Sequence, residues 1–270
     1  ESRGLGDVYK RQAMMDYWDK KITFNEFQQQ VSNMESMNTD WFGALYRTAF
    51  SQTHSVSLSG GNNGTRYYFS VGFNDDNGSE RGADLRRLTA RMNLSTHLRE
   101  NIMVDVRLSG SVQDAHYNPN NYSAFNEAYY TSRIFPIRND DGSLHYVQKL
   151  INSDQTTHEN IYAKYNILNE FENGGNDVKN KSLNLTTAFN WEIIPNLRYT
   201  ATVGLTTTTN LTENWMGEKS FYIAKLRGYD YGAEPPRTDF NTISRIIDGG
   251  IWSNSSTNQY SYTVSYTHLT

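Results

Sequence analysis

Residues 64–112 read GTRYYFSVGFNDDNGSERGADLRRLTARMNLSTHLRENIMVDVRLSGSV, and the alternation in this stretch decides the fold class. Tyr67, Phe69, Val71 and Phe73 fall on one parity, and Arg66, Tyr68, Ser70, Gly72 and Asn74 on the other. The next run sets Leu88, Ala90, Met92 and Leu94 against Arg87, Thr89, Arg91, Asn93 and Ser95. The third sets Ile102, Val104, Val106, Leu108 and Val112 against Met103, Asp105, Arg107, Ser109 and Ser111. Side chains alternate across a strand with period two, so each run is a strand with one apolar and one polar face. The polar face repeatedly carries Arg and Asp. Such a sheet fits a soluble sandwich, or a membrane barrel with an aqueous lumen.

Working outward, the same alternation recurs. Val56 and Leu58 sit in a short run that stops at Gly60-Gly61, and Asn62, Asn63 and Gly64 supply a tight turn, because Asn and Gly tolerate positive φ. Strands are expected over 65–74, 85–98 and 102–116. Leu183, Leu185, Thr187, Phe189 and Trp191 alternate with polar residues. Ile194-Pro195-Asn196 turns the chain, and Leu197, Tyr199, Ala201, Val203 and Leu205 follow. A last strand is expected over 251–264. Long connections cover 117–180 and 210–250, and structureless loops of that length are usually functional. Short turns after Gly61, His97 and Ile193 alternate with longer connections after Phe73, Tyr117 and Asn210. Outer-membrane barrels keep short turns on one side and long loops on the other. A sandwich has less reason to, although antibody-like domains come close.

The N-terminal part differs. Thr23 and Glu26 form a capping box, and Phe24, Phe27, Val31 and Met34 recur at helical spacing. Trp41, Leu45 and Tyr46 mark a second short helix. The expected organisation is a helical segment over 13–52 and a β region over 53–264. Residues 1–12 (ESRGLGDVYKRQ) and 265–270 (SYTHLT) resemble translated adapter sequence. They are set aside as tails, and the chain is expected to be an internal piece of a longer protein.

Composition narrows function. The 270 residues carry a net charge of -4 without a basic run, which argues against nucleic acid as a partner. There is no cysteine, so disulfides and thiolate metal sites are excluded. No apolar run is long enough for a transmembrane helix. A mean hydropathy of -0.72 does not argue against a barrel, whose strands turn half their residues to water. The 19 Tyr suit strands and membrane-interface girdles. Asp75–Gly78 and Asn139–Gly142 have the look of calcium loops but lack the EF-hand spacing, so turns are expected there. His116 near Asp114 is too isolated for a metal site. No nucleophile elbow or phosphate loop is present. No cofactor and no catalysis are expected, and a glycoside hydrolase is the weakest of the alternatives.

In order and spacing, Thr39-Asp40-Trp41, the run from Phe50 to Gly61 (FSQTHSVSLSGG), Thr65-Arg66-Tyr67-Tyr68, the run from Arg87 to Leu94 (RLTARMNL) and Tyr165 to Asn173 (YNILNEFEN) resemble the SusC/RagA family of TonB-linked outer-membrane proteins. The resemblance covers roughly residues 14–264. It implies an all-β fold, in which about seven strands form part of a plugged transmembrane barrel of about 22 strands. It implies uptake of oligosaccharides or peptides, driven by TonB and capped by a SusD-like surface lipoprotein. The plug and the TonB-contacting segment lie outside the match. Tyr67, Phe69, Val71, Leu88, Met92, Val104, Val106, Phe189, Tyr199 and Val203 would then face outer-membrane lipid. Arg66, Arg87, Arg91, Asp105, Arg107 and Arg198 would line the lumen. In the external connections, Tyr117, Tyr122, Tyr129, Tyr130, Trp215, Tyr222 and Tyr229 are the candidates for substrate contact, since aromatic faces stack on sugar rings. Loop packing and interface anchoring are the competing roles for the same residues. The alternative from another class is a soluble or surface-bound β-sandwich carbohydrate-binding module.

Overall fold

The structure, a computed structural model, describes residues 4–153, 160–233, 246 and 248–269. Seven strands form one antiparallel sheet in the order β1 (Phe50–Gly61), β2 (Thr65–Asn77), β3 (Asp84–Arg99), β4 (Ile102–Tyr117), β7 (Gly174–Ile194), β8 (Leu197–Met216) and β9 (Ile251–Leu269). A separate hairpin pairs β5 (Val147–Ser153) with β6 (Asn160–Tyr165). Among the described residues, six helices accompany them: α1 (Gly4–Trp18), α2 (Phe24–Ser36), α3 (Trp41–Leu45), α4 (Ala124–Tyr130), α5 (Ile167–Glu172) and α6 (Phe221–Arg227).

The register joins the apolar parities of all the strands into one face. One row runs Tyr67, Leu94, Val106, Thr187, Val203, Val264; another runs Val56, Val71, Ala90, Gly110, Leu183, Thr207, Tyr260. The opposite face is polar and ionic, as in the row Tyr68, Asn93, Arg107, Thr186, Gly204, Thr263. A one-residue slip at any pair would mix the two sets, so the uniformity of the faces fixes the register.

Nothing among the described residues packs against the apolar face. Leu58 is 60% exposed, Val203 53% and Tyr262 84%. Covering a side chain of this size is worth about 1.5–3 kcal/mol, so such a face demands an apolar neighbour. No second sheet lies against it, so the described residues form no β-sandwich. On β4 the apolar row runs from Ile102 to Val112. At about 3.3 Å per residue and a tilt of about 40°, it would stand about 25 Å tall, the height of the apolar band on an outer-membrane barrel. At its lower end Tyr199 stacks on Tyr266 at 6.3 Å, with Trp191 opposite Tyr199. At its upper end the face turns ionic, with Arg86 on Asp75 at 3.4 Å and Lys179 on Glu213 at 3.3 Å.

The short turns lie together at one end of the sheet. In 62–64, Asn62 Oδ1 accepts from the amides of Gly64 and Thr65 at 2.9 and 2.8 Å, a side-chain-made turn. In 195–196, Asn196 takes a φ of 71°, a left-handed conformation that Asn tolerates. Residues 78–83, 118–173 and 217–250 connect strands at the opposite end, where the chain also enters β1 from α3. The buried apolar core lies there as well. Trp41, Leu45, Ala124, Ala128, Phe135, Tyr165 and Ile167 pack together in a cap built from the connections.

Several boundaries differ from the sequence reading. α1 begins inside the segment set aside as 1–12, and Lys10 reaches Glu35 of α2 at 3.1 Å. β9 continues through 265–269 and pairs Ser265 with Thr202 and Tyr266 with Ala201. The alternation of Tyr260, Tyr262, Val264 and Tyr266 does not stop at 264, and the amides of β8 take their partners from it. β7 begins at Gly174 and β8 reaches Met216, so the connections are shorter than 117–180 and 210–250. They are not structureless, because they hold α4, α5, α6 and the β5–β6 hairpin. The capping box is present, with Thr23 N donating to Glu26 Oε2 at 2.6 Å and Glu26 N to Thr23 Oγ1 at 3.3 Å. The 139–142 segment is a turn, in which Asp141 Oδ1 accepts from Ser143 N at 2.9 Å.

Candidate functional site

The cap is assembled from short capped helices. Asp40 accepts from Gly43 N, Ser123 from Asn126 N, Asn166 from Leu168 N and Ser220 from Ile223 N, each side chain satisfying a first-turn amide. At its centre lies Glu170, which is fully buried. Its carboxyl oxygens accept from Tyr122 Oη at 2.7 Å, Phe221 N at 2.8 Å, Asn169 Nδ2 at 3.1 Å and Tyr222 N at 3.4 Å. The two amides are the first of α6, where the helix end favours negative charge. One side chain thus ties the connection after β4 to the connection after β8. Burial, reinforced by Glu170, pushes the Tyr122 hydroxyl far above its ordinary pKa and keeps it a donor.

Beside this core is a cavity of about 150 Å³ bounded by Trp41, Glu127, Phe135, His145, Lys149 and Tyr165. Lys149 Nζ stands 3.2 Å above the centre of the Tyr165 ring and 3.6 Å from Glu127. Burial lowers the Lys149 pKa, and Glu127 partly offsets that. On the cap's surface, Phe42 meets Phe125 edge-on at 5.9 Å, Phe125 stacks with Tyr129 at 6.0 Å, and Tyr129 meets Tyr130 at 5.1 Å. All four rings are exposed. They form a continuous aromatic strip that runs from α3 onto α4.

A chain of amides crosses the upper end of the ionic face. Asn176 Nδ2 donates to Asn120 Oδ1, and Asn120 Nδ2 donates to Asn214 Oδ1, each at 3.1 Å. A cavity of about 260 Å³ opens there, bounded in part by Asn120, Asn121, Asn214 and Tyr222. Amides spaced in this way can donate to and accept from hydroxyls or peptide groups.

The substrate candidates are therefore distributed unevenly. Tyr129 and Tyr130 come together on the strip, and Tyr222 borders the amide cavity. Tyr117 is exposed at the upper end of the ionic face. Tyr122 is committed to Glu170, and the Tyr229 ring lies 5.6 Å from the Arg227 guanidinium. Trp215 falls on the apolar parity of β8, and its indole N–H donates at 3.3 Å to Asp177, which also holds His116 at 2.6 Å. Trp215 nevertheless borders the amide cavity together with Asn214 and Tyr222. Counting by twos from Val203 reaches Trp215, a signal present in the sequence. The same count puts Asn176 and Asn214, which the sequence reading passed over, on the ionic face. Glu170, Lys149 and Phe42 were also missed.

On the sheet, Arg66, Arg87, Arg91, Asp105, Arg107 and Arg198 all share the ionic face. Arg87 donates to Gln113, and Asp105 accepts from Asn190 at 3.3 Å. Arg66, Arg91, Arg107 and Arg198 make no ion pair among the described residues. Tyr67, Phe69, Val71, Leu88, Met92, Val104, Val106, Phe189, Tyr199 and Val203 all share the apolar face.

No protein-family model matches the chain. The TonB-dependent receptor SusC of Bacteroides thetaiotaomicron is 35% identical to it over 102 residues, 36% of this chain and 9% of SusC. The solved RagAB peptide importer in its closed-closed state superimposes with a TM-score of 0.52 at 22% identity, over 67% of this chain and 20% of that one. Its open-open state gives a TM-score of 0.51 at 22% identity, over 68% and 20%. The chain spans less than a tenth of SusC and about a fifth of the RagAB chain it matches. Its open seven-stranded sheet has the fold of part of a TonB-dependent receptor barrel wall.

Proposed function

We propose that this chain supplies seven consecutive wall strands of an outer-membrane, TonB-dependent importer of the SusC/RagA kind. The observation that carries the reading is the sheet itself. One face is apolar over about the height of a bilayer core, the other is ionic, and the long connections gather at a single end. The apolar face contacts lipid, the ionic face borders the lumen, and the cap stands outside the cell. The cargo is an oligosaccharide or peptide, met first by the aromatic strip and the amide chain. The role is transport without catalysis. A SusD-like lipoprotein over the cap, and TonB acting through a segment beyond these strands, complete the proposal. Both follow from the resemblance to SusC and RagA.

The test is uptake by cells lacking the chromosomal copy of the receptor that contains this chain. Complementation should restore growth on a defined set of oligosaccharides or peptides, and loss of TonB should abolish it. Tyr129→Ala with Tyr130→Ala should weaken binding of that cargo about tenfold, since each ring contact is worth about 0.5–1.5 kcal/mol. Unchanged binding in the double variant would remove the strip from the cargo path. Uptake that does not depend on TonB would overturn the reading.

A further inference from the structure

From the geometry of the apolar face, we infer a seat for one phosphorylated lipid of the outer leaflet, with its acyl chain in a groove across β3, β4 and β7 and its phosphate on Lys181. The inference rests on the reading of that face as lipid-facing. The face is not evenly filled. Ala90 and Gly110 stand side by side in one row, flanked by Leu88, Val112 and Leu183, and leave a groove of about 350 Å³. A Cβ on Gly110 would meet only Ser182 O at 3.4 Å and Leu183 Cδ1 at 3.6 Å, so the space beside its backbone is real. A methylene chain lying along the groove restores packing contacts that would be lost across an unfilled gap.

Lys181 gives the groove its polarity. It is exposed on the apolar face, paired in register with Val112 and Thr209 at the top of the band. The cations just above it are matched: Lys179 on Glu213 and Arg86 on Asp75. Lys181 has no ion-pair or hydrogen-bond partner among the described residues, and Asp114, two positions along from Val112, does not reach it. A lysine at this depth extends its ammonium to the interface while its stem lies along apolar surface. There the unpaired ammonium is available to an anion, and the head-group phosphate of a lipid whose chain lies in the groove is the anion that reaches that level.

The test uses the complete receptor in phosphatidylcholine nanodiscs, with spin-labelled phosphatidic acid or phosphatidylcholine carrying the label at the same acyl position. Wild type should immobilise phosphatidic acid about five-fold in preference, the effect of one lysine near an anionic surface. Lys181→Gln should erase the preference while leaving immobilised phosphatidylcholine unchanged. Gly110→Val should lower immobilisation of both lipids by filling the groove. Lys179→Gln is the control and should keep most of the preference. An equal loss in Lys179→Gln, or an unchanged preference in Lys181→Gln, overturns the seat. A wild-type receptor that fails to show the heat-modifiable mobility of an inserted barrel would sink the lipid-facing reading itself, a separate result.

Discussion

Val106→Arg is expected to block assembly of the receptor in the outer membrane, whereas Ser109→Arg on the same strand should be tolerated. Val106 sits on the apolar face, between Leu94 and Thr187, about two fifths of the way up the row from Ile102 to Val112. An arginine facing lipid near the bilayer midplane costs about 2–4 kcal/mol, and the neighbouring strands offer it no carboxylate. Ser109 lies on the opposite face, between Arg91 and Asn184. An arginine there meets water and costs little beyond repulsion from Arg91. The measurement is the fraction of folded, heat-modifiable receptor in outer-membrane preparations. Equal loss from both substitutions would mean that the two faces are not distinguished by lipid.

Glu170→Ala should open the cap without disturbing the sheet. It leaves the Tyr122 hydroxyl and the first two amides of α6 without their acceptor inside a packed core. Buried unsatisfied donors cost about 1–3 kcal/mol each, and partial relaxation would leave a net loss of about 3 kcal/mol. That corresponds to roughly a hundredfold faster hydrogen exchange of the α5 and α6 amides, if they exchange through cap opening. The amides of β3 and β4 should be unchanged. Glu170→Gln, which keeps one carbonyl acceptor, should fall between wild type and Ala. Wild-type exchange in Glu170→Ala would show that the carboxyl group does not hold the two connections together.

The wall and the cap are unequally legible in the sequence. The wall was readable because its signal is local. Period-two alternation in 64–112 sorts residues into faces without knowledge of partners, and turns such as Asn62–Gly64 announce themselves by residue type. The strand ends were less readable. In 174–181 and 210–216 polar residues outnumber the apolar ones, so Asn176, Lys179, Asn210 and Glu213 look like loop even though Leu211 and Trp215 keep the apolar parity. The last strand's end at 265–269 resembles adapter sequence in composition, although its alternation continues through Tyr266. The cap could not be read, because its decisive contacts join distant residues. Glu170 is 48 positions from Tyr122 and 51 from Phe221. Nothing in YNILNEFEN marks Glu170 as fully buried and Glu172, two positions on, as exposed. The aromatic content of the connections pointed to ligand contact for every ring alike. Tertiary structure divides them into Tyr122 in the core, Trp215 on the apolar side and Tyr129 with Tyr130 on the surface.

Site-directed labelling in intact cells tests the central claim most directly. The chain has no cysteine, so single substitutions report cleanly once any cysteine elsewhere in the receptor is removed. Cysteines at Phe69, Met92 and Val104 should react with a lipid-soluble thiol probe and resist a charged one. Cysteines at Arg66, Arg91 and Asp105 should show the opposite preference. If both sets responded alike, or if Phe69, Met92 and Val104 were protected from both reagents inside a packed interior, the sheet would not be a wall between lipid and water.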